Sequence, residues 1–310
     1  MIEESEISVP KGPRIWAIGG GKGGVGKSVI AVNLAVAIAR SGARVALVDA
    51  DLGGANLHTL LGIPTPRRNL ADFISRRVAG LDQVMTATST ENLWLVSGAR
   101  ALLEMANPNF GQKGKLLRHI RALDVDHVFL DLGAGSAFNV LDFFLAARRG
   151  ILIVVPEATS VENAYHFLKA AFFRKLKRAE PRARVRAAID QVMGADARHN
   201  VRTPRDLISR VLALDPEAGA SLVAEASTFS PSLIVNRVER PDHKRLGEDM
   251  GTACSDYFGI RLECLGNLPG DRLVMRSVAE RRPVVELFSQ SPFAVEAKGI
   301  ADRLSRPPGR

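Results

Sequence analysis

A chain of 310 residues that is 46% apolar and 24% charged has an ordinary globular composition, which excludes wholesale disorder and collagen-like repeats. Two cysteines, Cys254 and Cys264, are too few for a disulfide framework and wrongly spaced for a CxxC metal knuckle. A net charge of +9 suits an acidic partner without choosing among nucleic acid, anionic lipid and nucleotide, while the absence of an apolar run of about 18 residues argues against a membrane span. Met1–Ser8 is acidic and lacks the apolar core of a secretion signal, so cytoplasmic placement is expected.

In chain order, short β-rich runs alternate with helical patterns, the signature of a doubly wound, mostly parallel α/β sheet. The runs 14–19, 44–49, 127–131, 150–155 and 232–236 read as strands, with 92–97 and 263–268 weaker. Helical spacing covers 27–41, 113–123, 138–147, 159–178, 241–257 and 292–304. The sheet expected has about seven or eight strands within one domain spanning 1–310. Between 179 and 228 there is more chain than one crossover needs, and this segment reads as a helical insertion with Pro204 and Pro216 as helix starts. Its first part is basic: residues 174–210 hold eleven Lys and Arg against four Asp and Glu. Scattered as they are, these cations read as a solvated helical face. The ends, 1–12 and 305–310, are expected to be loose.

The strongest local signal is Gly21-Lys22-Gly23-Gly24-Val25-Gly26-Lys27-Ser28, set between a strand and a helix. That is the context in which glycines turn successive N–H groups onto phosphate oxygens and a helix start adds its positive end. Lys27 would take the β/γ-phosphates and the Ser28 hydroxyl would ligate Mg²⁺. Gly21, Gly23 and Gly26 also spell a dinucleotide fingerprint, with Asp49 as the acid for a ribose. A dinucleotide loop, however, has no use for the Lys27-Ser28 pair, and the chain supplies further acids for Mg²⁺. Asp49 and Asp51 close the second strand run, Asn56 follows, and Asp131 ends the run 127–131. An aspartate at the carboxyl end of a buried strand beside the loop is placed to serve a Mg²⁺ shell.

Together these motifs resemble the deviant Walker A class of MinD/ParA P-loop ATPases (SIMIBI-type), which carry an extra lysine near the loop's start, here Lys22. DADLGGANLHTLLGI (49–63) resembles the first switch of that class and is closest to its FlhG (YlxH, FleN) branch. DLGAG (131–135) resembles the second switch, LIVNRV (233–238) the strand whose Asn236 reads the adenine edge, and LGNLPGD (265–271) the loop whose Pro269 lies against the base. The resemblance implies ATP and Mg²⁺ as ligands, with Gly21, Gly23, Gly24, Val25, Gly26, Lys27, Ser28, Asn236 and Pro269 around the nucleotide. It implies Ser28, Asp51 and Asp131 around the metal, partly through water, and Lys22, Lys27, Asp51 and Asn56 in hydrolysis. Two ATP-bound copies would face each other, Lys22 of one reaching the phosphates of the other, and hydrolysis would release the homodimer.

The implied output is the placement or number of a cellular structure, flagella among them, through a protein activator or cargo the sequence does not name. A ParA-like ATPase on nonspecific DNA and a nucleotide-sensing scaffold that does not hydrolyse ATP are the alternatives. Relatives of the class reach membranes or the cell pole through a terminal amphipathic helix. Here Phe293, Ala297, Ile300, Ala301 and Leu304 share one face of 293–304, and packing on the sheet is the reading preferred over a membrane surface. The stripe Phe167, Leu168, Ala171, Phe172 and Leu176 reads as core or dimer contact. Met1–Lys11 lacks the Asp-Gln-Ala stretch by which FlhG proteins activate a partner GTPase. The cysteines lack the pair that an iron–sulfur carrier needs, Tyr165 and Tyr257 are too few for a tyrosine-rich tail, and the six histidines show no zinc spacing.

Overall fold

The computed structural model describes residues 12–51, 54–98, 109–179 and 203–306, with scattered residues between 182 and 189. The strands are β1 Arg14–Gly19, β2 Val45–Asp49, β3 Met85–Ala87, β4 Leu93–Val96, β5 His127–Asp131, β6 Arg149–Val154, β7 Ser232–Val238 and β8 Glu263–Pro269. The helices are α1 Lys27–Arg40, α2 Leu57–Leu60, α3 Leu70–Ile74, α4 Phe110–Arg121, α5 Phe138–Ala146, α6 Ala158–Ala179, α7 Pro204–Leu214, α8 Pro216–Ser227, α9 Leu246–Phe258, α10 Arg272–Ala279, α11 Val284–Leu287 and α12 Pro292–Ser305.

The strands form one eight-stranded sheet in the order β3-β4-β2-β5-β1-β6-β7-β8. All pairings are parallel except β3 with β4. Alternation along each strand feeds two cores. In β1, Ile15 and Ala17 enter one, Trp16 and Ile18 the other. Side chains of successive strand residues point to opposite faces, so a strand buried on both sides has to be apolar at every position. The α6 stripe predicted as core or dimer contact is core, with Phe167, Leu168, Ala171, Phe172 and Leu176 all buried.

The strands read from sequence are present within a residue or two, and β3 was not foreseen. Three residues carry no periodicity to read. Among the helices, α2, α3, α10 and α11 were also missed, while 241–257 divides into a 3₁₀ turn at Pro241–Arg245 followed by α9. Pro204 and Pro216 start α7 and α8 behind the caps Thr203 and Asp215, where a missing N–H costs nothing. Helix α8 packs on α6 and α7 on α9; most of 180–202 and the ends 1–11 and 307–310 lie outside the described residues.

Helix α12 packs on α1 and β8, and Phe293, Ala297, Ile300, Ala301 and Leu304 are all buried there. Presenting that face to lipid would require undocking the helix from α1 and β8, which cover it. The preferred reading from sequence stands, and no described helix is long and apolar enough to cross a membrane. The reading of 174–178 as a solvated face is corrected. Arg174 and Arg178 turn onto buried Asp142 of α5 and Lys175 onto Glu225 of α8, because a buried carboxylate has to be compensated.

Candidate functional site

The glycine-rich loop leaves β1 and enters α1, as its flanking apolar pattern requires. Two glycines have no substitute. At Gly21 an added Cβ would lie 2.1 Å from the backbone oxygen of Asn163, and a backbone atom cannot step aside. Gly26 is the N-cap of α1 at φ 96°, with no side chain capping the first turn. The leading N–H groups of α1 are therefore left without the side-chain acceptor that usually meets them, which is how a helix start holds an anion.

Lys27, the first residue of α1, is buried (8% exposed) with its ammonium 3.4 Å from the Lys22 carbonyl oxygen to which it donates. Burial lowers its pKa, opposed by the charges of Asp131 and Asp51. A desolvated cation with so little hydrogen bonding is a standing demand for an anion. Lys22 behaves differently. Its ammonium turns outward and donates to Glu157 Oε2 (2.7 Å) and Thr159 Oγ1 (3.0 Å) where β6 gives way to α6.

Asp49 and Asp131 are register partners at the carboxyl ends of neighbouring β2 and β5. Both are 1% exposed, and each has one oxygen, Oδ1, with no hydrogen-bond partner among the described residues. Burial pushes each carboxyl up to about 7, opposed in Asp131 by a hydrogen bond from Ser28. Asp51 accepts from the Gly54 N–H (3.1 Å) and sits against Gly133, so the two expected switches touch. Asp49 Oδ2 accepts from the backbone N–H of Asn56 (2.9 Å) and Leu57 (3.1 Å). An acid this deep, spent on capping α2, has no route to a ribose, which removes the dinucleotide reading. Asn56 enters the network through its N–H; its side chain makes no cap bond.

Asn236 of β7 donates from its amide to the Val25 carbonyl (2.8 Å), so it braces the loop itself. Arg237 does the same to the Gly24 carbonyl (3.1 Å). Pro269, half-buried at the end of β8, lies one strand further out at the same end of the sheet. Gly23 and Gly24 are exposed on the loop's outer curve and Val25 is buried beneath it. The sequence reading did not single out Asp49 as a cap, nor Glu157, Thr159, Asn163 or Arg237. Only contacts more than a hundred residues apart in sequence, or a cap closing across a loop, bring these into the site.

The residues present fit a triphosphate with a divalent cation. The uncapped start of α1 and buried Lys27 suit an anion, and the orphaned Oδ1 of Asp131, on a carboxyl that also feels Ser28, offers a hard ligand to a cation.

The chain matches, over residues 16–284, the model of the CobQ/CobB/MinD/ParA nucleotide binding domain. It is 28% identical over 293 residues to the antiactivator FleN of Pseudomonas aeruginosa, a match covering 94% of this chain and 86% of FleN. It is 30% identical over 162 residues to the flagellum site-determining protein YlxH of Helicobacter pylori, covering 49% of this chain and 52% of YlxH. Its fold superposes on the septum site-determining protein MinD of Pyrococcus horikoshii, complexed with Mg-ADP, at a TM-score of 0.64 and 20% identity, covering 95% of this chain and 96% of that one. With the loop, its lysines and the strand-end acids in place, the chain belongs to the CobQ/CobB/MinD/ParA nucleotide-binding family and is an ATP-binding P-loop ATPase of the MinD/ParA class.

Proposed function

We propose that the chain is an ATP-driven dimerisation switch that sets the position or number of a cellular structure, with flagella the first candidate because FleN and YlxH are among its relatives. One observation carries this reading: the loop's two lysines have divided their work. Lys27 is buried within its own site, whereas Lys22 stands outside it on Glu157 and Thr159 at 36% side-chain exposure. A cation left outside can serve the phosphates of a second copy, where it offsets charge on the transferring group as an arginine finger does.

Magnesium, held by Ser28 and Asp131 directly or through water, would supply the positive charge that offsets the developing charge on the phosphates. Asp51, poised between Gly54 and Gly133, orients the attacking water. Asp49 keeps that first switch in place by holding the N–H groups of Asn56 and Leu57. Loss of the γ-phosphate removes the contacts that order both switches, so the dimer loosens. Adenine packs at the end of the sheet that carries Asn236 and Pro269. The cargo and activator are read as protein partners, a reading supported by α12, the candidate lipid-binding helix, having its apolar face in the core.

The test is Lys22→Ala, followed by phosphate release and by light scattering in ATP–Mg²⁺ and in ADP. Nucleotide binding should persist while ATP-dependent association and turnover vanish. Unchanged turnover would refute the role across the dimer.

A further inference from the structure

A cavity lies away from the phosphate loop, between α4 and α6 and over α5, with a volume of about 440 Å³. That is within the range of small-ligand sites. Its walls carry Lys113 and Arg121 from α4 and Lys175 and Arg178 from α6, and Arg174, outside the lining, holds the lining Asp142 at both oxygens. Two carboxylates, Asp142 and Glu225, answer them, leaving an excess of three positive charges.

Asp142, 6% exposed, accepts from Lys113 (2.5 Å), from Arg174 at both oxygens (2.6 and 2.8 Å) and from Arg178 (3.3 Å). Burial alone would raise its pKa, yet the bonds from Arg174 and Lys113 hold it below the ordinary carboxylate range. It is therefore ionised, but one negative charge cannot neutralise three converging cations. Lys175 is matched by Glu225 at 2.6 Å. Arg121 has no ion-pair partner among the described residues, and Arg178, beyond its long bond to Asp142, keeps half its side chain in solvent. Pinning α5 needs fewer cations than the groove contains.

The excess charge lies in a cleft whose remaining wall is apolar, from Leu117, Leu145, Ala146 and Ala179. Low-dielectric walls concentrate the field of a like-signed cluster and draw in counter-ions. Lys113 and Arg121, eight residues apart on α4, are about 12 Å apart along the helix axis, the length of a nucleotide-sized molecule rather than of a lone ion. We propose that this groove binds a phosphorylated small molecule, its anionic groups on Arg121, Arg178 and Lys113 and its apolar part on Leu117 and Leu145. Helix α5, which follows the second switch, forms the floor, so an occupant would touch the element next to Asp131 without entering the nucleotide site.

The test fills the phosphate loop with ADP–Mg²⁺ and then titrates pyrophosphate by calorimetry, with a hexaglutamate peptide as a second arm. Wild type should bind pyrophosphate with a dissociation constant below about 1 mM, and Arg121→Ala/Arg178→Ala should weaken it by about tenfold or more. Lys22→Ala, which alters only the nucleotide site, should leave this binding unchanged, so failure here is distinct from failure of the ATPase reading. Absence of heat up to about 5 mM, equal binding by the double variant, or tighter binding of hexaglutamate than of pyrophosphate would each overturn the proposal. Both arginines are exposed at the groove's rim, and circular dichroism checks that the variant folds.

Discussion

Gly26→Ala tests the loop at the position where it has least freedom. The backbone there has φ 96°, and the new methyl would lie 2.6 Å from the Asn236 amide nitrogen. A left-handed conformation costs an L-residue roughly 1–2 kcal/mol. Displacing Asn236 also breaks its 2.8 Å bond to the Val25 carbonyl, worth about 1 kcal/mol net and up to about 3 if the carbonyl is left dry. The sum, roughly 2–5 kcal/mol, is at or below the low end of the usual 5–15 kcal/mol of a folded domain. The variant should therefore fold, melt roughly 3–8 °C lower, and relieve strain by turning the loop out of its anion-binding shape. Thermal unfolding with and without ATP–Mg²⁺ measures both effects: the midpoint falls and the nucleotide-induced rise disappears. Adding Asn236→Ala removes the obstacle but not the strained φ, so the double variant should lose less than the sum of the two single changes. An unchanged midpoint with an intact ATP-induced rise, or strict additivity, would refute the reasoning.

Asp51→Ala should trap an ATP-bound dimer, seen by light scattering with ATP and Mg²⁺; a variant that stays monomeric means the switch is misassigned. Glu157→Gln frees Lys22 from its 2.7 Å ion pair, so ATP-dependent association should strengthen while thermal stability stays put, and unchanged association would show that the pair restrains nothing. His127 is buried, accepts from Trp16 Nε1 at 3.1 Å, and is lowered to about 4 by burial and then by Arg14. Its unfolded state takes a proton first as pH falls from about 6.5, so this residue withdraws stability between about 6.5 and 4, on the order of 2 kcal/mol after allowing for solvent screening. Above that window it contributes no pH dependence. His127→Gln, read as the difference from wild type in urea titrations across that range, should be flatter on the acid side; identical curves would show that the imidazole is not the sensor.

The elements legible in the sequence are those whose signal is local. The apolar runs of β1, β5 and β7 are buried on both faces, and proline at the first turn marks α7 and α8. Helix α4 begins at Phe110, earlier than its apolar spacing suggests, because Asn109 and Gln112 form a capping box; that N-x-x-Q signal was present and overlooked. The eighth strand escaped because three residues at an edge are paired only by tertiary context.

At the site, residue type and spacing named the phosphate loop, both lysines and the strand-end acids, since anion binding demands glycines, a cation and a helix start in consecutive order. Burial and partnership were decided by the fold alone. Packing put Asp49 under α2, turned Lys22 onto Glu157 and Thr159, and placed Asn236 and Arg237 against the loop from the far end of the chain. It also folded a basic stretch that looked solvated onto Asp142. A one-dimensional pattern fixes which groups a segment offers; which of them are dried, paired or left facing solvent depends on what the rest of the chain brings within a few ångströms.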